Sequence, residues 1–418
     1  MKKRFVLPCL ILFLVWGCRN ETIRIYKGNS PVTISYDEWR SIEPKLQDSI
    51  GLENPGKIYS YKNALYINET GKGIHVYDNS DPLSPVDMGF IDIHCNFDVA
   101  VKGNTLYAGS YSDLLIFDVS DPLEPIYFGR KKDVFNLEYT NVTEGFDASY
   151  PVKYVNMSEE VVLRWELKTI EEKVEDSNNG SFSILEDFTF AAKTDIAYYG
   201  GSGTGGSMAS FTVMENTLYI LDQTNLKYTS LADEKNLPEF EEIWLFRDAE
   251  TLFPHENNLF IGTTTGMLIY SISDNGTPTY LSSFDHWTGC DPVVVSDNIA
   301  YVTLSSGCGL QRNELHVVDV SNLSNPELIK TYDFEHPLGL GIDDSTLFLC
   351  DDYAGLKVFD IKSPDSIKNN MIHHYSDINA YDVIPLNDIL ILVGTDGVFQ
   401  YNYSSPSAMV LLSQIKPE

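Results

Sequence analysis

The chain has 418 residues and a formal net charge of −31, with 43% apolar and 12% aromatic residues. This apolar content is enough to build a core and excludes a disordered chain. The excess of acidic residues argues against binding nucleic acid or anionic lipid head groups through bulk charge. It favours cations or basic partners, although the solubility of a surface protein would also account for it.

The N-terminus has the organisation of an export signal. Residues 2–4 are basic, and the apolar stretch Phe5–Trp16 is shorter than the roughly 20 residues that a bilayer span requires. The string Val15-Trp16-Gly17-Cys18 resembles a bacterial lipobox, in which the cysteine is lipidated and becomes the new N-terminus. We therefore predict a lipid anchor at Cys18 and a place in the cell envelope of a Gram-negative bacterium, at the outer membrane on its periplasmic or surface side. An uncleaved anchor is the alternative, because Trp16 is bulky for this motif.

A unit of about 40 residues repeats after residue 54. In each copy an apolar strand such as Thr105–Ala108 follows a polar turn, and a further strand such as Leu114–Asp118 ends in Asp before a turn that often contains Pro. A tight polar turn between two apolar runs predicts a hairpin. Four strands in about 40 residues is the unit of a β-propeller blade, and a β-solenoid, with its shorter repeat, is the alternative.

The sequence therefore predicts an all-β fold, a β-propeller of seven four-stranded blades with one segment inserted between blades 2 and 3. The predicted blades lie at about 57–92, 96–132, 210–248, 249–286, 291–334, 337–377 and 380–416.

The core of the repeat resembles the LVIVD-repeat family of β-propeller-like proteins. Its apolar-apolar-Asp-Val-Ser-Asp-Pro string is seen at Ile116–Pro122 and, in part, at Val317–Asn322. The third repeat departs from the pattern, because Leu226–Leu231 lacks the Asp. The resemblance implies the propeller fold and no particular activity, since the family is not defined by a reaction.

The repeated aspartates Asp118, Asp319 and Asp360 occupy one position of the unit. A catalytic residue is not needed several times over, so we expect each carboxylate to accept backbone N–H groups in the turn that follows it.

Three regions follow from this organisation. They are a signal peptide over residues 1–17, a tether with a short brace over residues 18–53, and the propeller over residues 54–418, with its insertion at about 133–209.

Two parts of these regions have strand-like sequences of their own. Ile23–Tyr26 and Val32–Ser35 predict short strands, and Tyr36–Gln47 predicts one helix. Within the insertion, Pro151–Val174 alternates apolar and polar residues, most clearly at Val161–Leu167, and predicts an extra hairpin. The glycine-rich stretch Gly200–Met208 lacks the lysine and helix start of a phosphate-binding loop and predicts a turn leading into blade 3.

The connections between blades and the B–C turns must lie at the same end of a propeller, and this loop-rich end contains the variable residues. Cys290 and Cys308 belong to one predicted blade, so a disulfide between them is plausible in an oxidising compartment. No zinc-binding spacing is present. Apart from a possible Ca²⁺ site, no cofactor is predicted.

Acidic and aromatic residues gather at the same end. Several carboxylates near the axis could hold Ca²⁺ or accept hydrogen bonds instead, and loop aromatics could form a contact surface or pack internally. The acidic candidates are Asp98, Asp291, Asp382, Asp351 and Asp352. The aromatic candidates are Tyr111, Tyr198, Tyr199, Trp287 and Tyr353.

Two functions fit these features. The first is a non-catalytic binding or scaffold module that presents its loop-rich face to a protein or glycan while a lipid holds it to the membrane. The second is an extracytoplasmic hydrolase or lyase with an acidic axial pocket, in which His255 or His286 would act with the axial aspartates. No catalytic motif is present, so the first is favoured and no catalytic residue is assigned. A filled channel would favour the first function, and a deep pocket the second.

Overall fold

Each repeat of the sequence folds into one antiparallel sheet, because short polar turns separate strands whose side chains are mostly apolar. A computed structural model describes residues 22–136, 142, 144–174, 207–208, 210–286, 292–306 and 312–418. Seven four-stranded sheets follow one another in chain order, and their innermost strands contact each other around a common axis. The predicted seven-bladed β-propeller is confirmed.

The strands of each blade are called A to D from the axis outwards. Blade 1 is β3–β6, with the bounds Pro55–Tyr61, Ala64–Glu69, Gly73–Asp78 and Val86–Asp92. Blade 2 is β7–β10, with the bounds Val99–Lys102, Thr105–Ser110, Asp113–Asp118 and Ile126–Lys131. Blade 3 is β12–β15, with the bounds Phe211–Met214, Thr217–Asp222, Asn225–Ser230 and Glu241–Trp244. Blade 4 is β16–β19, with the bounds Ala249–His255, Asn258–Thr263, Gly266–Ile272 and Pro278–Asp285.

The other three blades complete the ring. Blade 5 is β20–β23, with the bounds Val293–Ser296, Ile299–Leu304, Glu314–Asp319 and Glu327–Asp333. Blade 6 is β24–β27, with the bounds Leu340–Asp343, Thr346–Cys350, Leu356–Asp360 and Met371–Tyr375, and a 3₁₀ segment at Pro364–Asn370. Blade 7 is β28–β31, with the bounds Asp382–Leu386, Ile389–Gly394, Gly397–Asn402 and Val410–Ile415.

The hydrophobic core lies between neighbouring blades. Every residue of the B strands Ala64–Glu69 and Thr105–Ser110 is buried, which requires that both faces of each sheet are covered. Side chains such as Ile74 of blade 1 and Leu106 of blade 2 belong to one continuous cluster. The D strands lie at the perimeter and are largely exposed, so the ring buries both faces of each blade and leaves only its outer edges to solvent.

The ring closes without exchange of a strand, since blades 1 and 7 are each built from one continuous stretch of chain. Asn79 and Gln400 form a reciprocal amide pair across this junction, with Nδ2 to Oε1 at 2.9 Å and Nε2 to Oδ1 at 2.7 Å. The Tyr381 hydroxyl donates to the Pro55 carbonyl at the same junction. Specific side-chain contacts therefore join the two ends of the propeller.

The repeated aspartates have the predicted structural role. Oδ1 of Asp118 accepts the Ser120 amide at 2.9 Å, and Oδ1 of Asp319 accepts the Ser321 amide at 2.8 Å. Asp360 accepts the amide of the second residue after it in the same way. These carboxylates hold the turn between strands C and D.

The N-terminal segment and the insertion form a two-stranded ribbon outside the ring. β1 (Thr22–Ser35) pairs antiparallel with β11 (Glu160–Val174), and helix α1 (Tyr36–Arg40) follows β1. The predicted pair of short N-terminal strands is thus one long strand, the helix is shorter than predicted, and the insertion strand pairs with β1 rather than with a strand of its own. The short strand β2 (Leu46–Gln47) then covers the outer edge of blade 1.

The ribbon packs on the loop-rich end of blade 2. Trp39 of α1 and Trp165 of β11 join Cys95 and Tyr111 in one buried cluster, and the ring of Trp39 lies 5.7 Å from that of Tyr111. Within the described ranges, no helix has the length and apolar character that crossing a bilayer requires. Cys18 lies outside these ranges.

Candidate functional site

The stretch that leads into blade 3 lies across the propeller axis. The Ser207 hydroxyl accepts the backbone amide of Leu340, in the A strand of blade 6, at 2.7 Å, and the Ser207 amide donates to Asp382 of blade 7. Ser210 contacts Asp98 and Lys57, which belong to blades 2 and 1. Residues 207–208 and 210, here called the axial plug, thus link the A strands of blades 6 and 7 with those of blades 1 and 2 at the loop-rich end of the axis.

Asp98 anchors this axial plug. Its Oδ2 accepts the Ser210 amide at 3.1 Å, the Ser210 hydroxyl at 2.6 Å and the Phe211 amide at 3.0 Å, while Oδ1 accepts the Val99 amide at 2.7 Å. The ammonium of Lys57 lies 3.4 Å from Oδ2. Both oxygens are occupied by groups of the chain itself, and the carboxylate is fully buried.

Two further titratable groups at the axis have pKa values shifted from their ordinary values. Burial raises the pKa of Asp382 to about 7, and burial lowers the pKa of Lys57 to about 8. Burial also raises the pKa of Asp98, against the opposing effect of Lys57. Such shifts are typical of functional sites but also of internal ion pairs. Here the carboxylates bind backbone amides of the plug, which is a structural use.

Asp351 binds the connection between blades 5 and 6. Its two oxygens accept the amides of Glu335 at 3.2 Å and His336 at 2.7 Å, and Lys357 forms an ion pair with it. Asp352 instead contacts the His336 ring, with Oδ2 at 3.0 Å from Nδ1. Asp351 is thus a buried anchor of the blade, bound to amides of the connection that precedes it.

The same arrangement recurs in two other blades, and the sequence analysis did not identify it. An acid at the end of strand B faces a basic residue at the third position of strand C and accepts amides from the preceding connection. The pairs are Glu69 with His75, at 3.2 Å, and Asp222 with Lys227, at 2.7 Å. Blades 2 and 4 have Ser110 with Leu115 and Thr263 with Leu268 at these positions. The sequence signal for this pair was that the two positions change together, with an acid and a basic residue in blades 1, 3 and 6 and uncharged residues in blades 2 and 4.

The described residues do not assemble a cation site. Among them, no group of three His, Cys, Asp or Glu side chains is placed to hold a metal ion. The predicted carboxylates bind groups of the chain itself: Asp98 and Asp382 accept amides of the plug and of their own A strands, Asp351 accepts the amides of Glu335 and His336, and Asp352 contacts the His336 ring. Asp291 lies outside the described residues, and the Ca²⁺ expectation remains a prediction.

The cysteine expectation also remains a prediction, since Cys290 and Cys308 both lie outside the described residues. Cys95 and Cys350 are buried in blades 2 and 6 and are not bonded to each other. Burial raises the pKa of the Cys350 thiol, so it is a poor nucleophile there.

The predicted aromatic surface is only partly present. Tyr111 is fully buried under the insertion, so its assignment to an exposed binding face is wrong: the ribbon that covers it could not be foreseen from the repeat. Tyr353 is 68% exposed and lies parallel to the His336 ring at the loop-rich end. Tyr198, Tyr199 and Trp287 lie outside the described residues.

A second exposed aromatic pair was not predicted. Trp244 and Phe246 are 58% and 74% exposed, and their ring centroids are 4.0 Å apart. They flank buried Leu245 in the connection between blades 3 and 4. The sequence signal that could have identified this pair is two large aromatic residues on either side of one apolar residue within a charged stretch.

The histidines proposed for catalysis are apart. His255 ends an A strand at the end of the ring opposite the loop-rich end, where Nε2 contacts the Asp297 carbonyl at 3.0 Å. His286 follows the last strand of blade 4, and its ring contacts that of His316. The two histidines lie at opposite ends of blade 4, whereas Asp98 and Asp382 belong to blades 2 and 7.

Comparisons with known proteins agree with this architecture. The protein of known structure from Lactobacillus plantarum is 11% identical, with a TM-score of 0.51 over 87% of this chain and 96% of its own. The periplasmic gluconolactonase PpgL of Pseudomonas aeruginosa is 9% identical, with a TM-score of 0.51 over the same shares. BamB of Moraxella catarrhalis is 7% identical, with a TM-score of 0.48 over 90% of this chain and 97% of its own. At such identities the likeness concerns the fold alone.

The family comparison is more specific. A search of curated protein sequences found no match. The sequence model of the LVIVD repeat matches residues 97–132 and 290–334, which correspond to blades 2 and 5. The chain is therefore a seven-bladed β-propeller that carries LVIVD repeats in at least these two blades.

Proposed function

We propose that the protein is a lipid-anchored binding or scaffold module of the cell envelope, which recognises another protein through the loop-rich end of its propeller. The observation that supports this most directly is the axial plug, residues 207–208 and 210. It lies where a substrate would have to enter an axial pocket, and it uses the axial carboxylates for its own hydrogen bonds.

A catalytic role has less support at the same place. A general acid or base must reach the group from which it takes, or to which it gives, a proton. Asp98 is fully buried and accepts four hydrogen bonds from the chain, and Asp382 binds Val383 and the plug. These carboxylates hold the fold rather than face a cavity.

The loop-rich end offers contact residues on a rigid base. Tyr353 lies over His336, which in turn contacts Asp352, and Trp244 and Phe246 lie on the far side of the ring. Exposed aromatic residues give large contact areas with little loss of side-chain freedom, and they dominate many protein interfaces. Loops on a rigid scaffold are the usual place for such contacts.

The anchor is tested separately. The natural chain should incorporate labelled palmitate and the variant Cys18→Ser should not, because this substitution removes the residue that would carry the lipid. A natural chain without label, or a Cys18→Ser variant with as much label, would refute lipidation at Cys18.

The binding face is tested by placing a photo-crosslinking amino acid at Tyr353, and, as a control, at Leu83, which is 62% exposed in a C–D turn at the opposite end. We expect discrete protein adducts from position 353 in living cells and none from position 83. Equal adducts from both positions, or none from either, would refute the proposed face.

A further inference from the structure

Trp244 and Phe246 form an exposed aromatic pair with no internal use that would account for it. Leu245 between them is 3% exposed and belongs to the core of blades 3 and 4, and its amide donates to the Thr224 carbonyl at 2.7 Å. This buried residue fixes the backbone, so its two neighbours are held outwards. The pair is thus a rigid feature of the loop-rich end rather than a mobile loop tip.

The backbone at Phe246 has the left-handed conformation, with φ of 61°. A bulky side chain rarely adopts this conformation, because its Cβ crowds the adjacent carbonyl. Most of the other non-glycine residues with positive φ lie in tight turns, and Tyr111 is buried. At Phe246 the strain is combined with 74% exposure, so internal packing does not offset it. Strain of this kind is concentrated at binding sites.

The surroundings of the pair are acidic. Residues 239–250 contain five acidic residues and one basic residue, Arg247. The guanidinium of Arg247 is held by Asp285 at 2.8 Å and by the Thr265 carbonyl at 3.3 Å, so its charge is compensated within the chain. Glu242, two residues before Trp244 on the same strand, and Asp248, two residues after Phe246, are exposed.

We infer that Trp244 and Phe246 form a docking site for a lysine- or arginine-bearing segment of a protein partner. The aromatic rings would receive the aliphatic stem and the cation, and Glu242 and Asp248 would neutralise the charge. A cation over an aromatic face, next to carboxylates, is favoured by both the ring quadrupole and Coulomb attraction. The net charge of −31 would steer basic partners towards the whole surface, and the aromatic pair would select where they bind. This inference rests on the proposed function and specifies the chemistry of its partner.

The test uses the full chain and three labelled nine-residue peptides that alternate threonine with lysine, norleucine or glutamate. Norleucine keeps the aliphatic stem of lysine without its charge. We expect the lysine peptide alone to bind, as measured by fluorescence anisotropy at low and physiological salt, and its binding to weaken as salt rises.

Four variants then locate the site. Trp244→Ala and Phe246→Gly should each weaken binding at least tenfold, and the double variant Glu242→Gln with Asp248→Asn should weaken it about fivefold and reduce its salt dependence. Tyr280→Ala is the matched control, since Tyr280 is a 53% exposed aromatic residue on the outer strand of blade 4, and it should change binding less than twofold. Glycine tolerates the backbone of position 246, so Phe246→Gly should lose binding without losing stability.

The possible failures are distinguishable. Equal binding of the lysine and norleucine peptides would overturn the basic partner, and unchanged binding by Trp244→Ala would overturn the site. No binding of any peptide, together with binding of a chito-oligosaccharide that Trp244→Ala abolishes, would replace the protein partner with a glycan. In each case, specific crosslinks from position 353 would leave the proposed function standing, whereas their absence would refute that function independently.

Discussion

The contribution of the Asp351–Lys357 ion pair to the stability of blade 6 can be tested by replacing the pair with the uncharged residues that blade 4 has at the same positions. Blade 4 has Thr263 and Leu268 at the corresponding positions and builds the same four-stranded sheet. Replacing the pair by Asp351→Thr and Lys357→Leu therefore gives blade 6 the side chains that a neighbouring repeat already accommodates. The two single variants complete a double-mutant cycle.

The expected magnitudes follow from burial and hydrogen bonding. The Asp351 side chain is fully buried and that of Lys357 is 15% exposed. Removing one partner leaves a charge without its counterion, which costs about 3–5 kcal/mol in a buried pair. Asp351→Thr also leaves the amides of Glu335 and His336 with one acceptor instead of two. The double variant removes both charges and should cost only about 1–2 kcal/mol, so a coupling free energy of at least about 4 kcal/mol is expected.

The assay is urea unfolding of the four proteins, followed by tryptophan fluorescence and by circular dichroism. Coincident transitions from the two probes justify a free energy from linear extrapolation. Additive effects of the two substitutions would refute the view that Asp351 and Lys357 act as one unit. A double variant as unstable as the worse single variant would likewise show that the repeats are not interchangeable at these positions.

Three further predictions concern the axis, the ring junction and the cysteines. Burial raises the folded-state pKa of Asp382 to about 7, so ionisation of its carboxylate destabilises the fold progressively as pH rises from about 4 to 7, by at most about 4 kcal/mol. The stability of Asp382→Asn relative to the natural chain should therefore be greater at pH 8 than at pH 4, as measured by calorimetry. A difference in stability that does not depend on pH would contradict the raised pKa. Gln400→Leu breaks the amide pair with Asn79 and should cost about 2–3 kcal/mol, with hydrogen exchange rising first in blades 1 and 7; equal loss of protection in all blades would argue against a specific junction. Peptide mapping without reduction should recover Cys290 linked to Cys308, and two alkylated thiols in the exported protein would exclude that disulfide.

The sequence was informative about the fold because each blade is specified by local patterns. Alternating apolar strands, polar A–B turns and the aspartates that hold the C–D turns act within about 40 residues. The strands and the A–B turns recur in all seven blades, and the aspartates in four of them. The positions of Asp118, Asp319 and Asp360 already implied their hydrogen bonds, because a carboxylate that follows a strand can reach the amide two residues on. Repetition thus identified both the blades and the structural role of their most regular acids.

The candidate site depended on contacts that no local pattern encodes. The sequence indicated that Asp98 stands at the start of an A strand, but its partners Lys57 and Ser210 come from two other blades. Tyr111 was expected on a surface, but the ribbon of β1 (Thr22–Ser35) and β11 (Glu160–Val174) covers it. Lys57 was overlooked because a lysine in a strand is usually exposed, and only the ring brings a carboxylate to it.

The amino-acid sequence by itself determined the repeat, the number of blades, the turn chemistry and the acidic character of the chain, since all of these follow from neighbouring residues and composition. Only the tertiary structure decided that residues 207–208 and 210 contact blades on both sides of the axis, that the axial carboxylates bind backbone amides, and that Trp244 and Phe246 are exposed. The physical reason is that these properties depend on contacts between segments that are distant in the sequence. Those contacts form only when the ring closes, and they determine how far each side chain is buried and which charges lie near it.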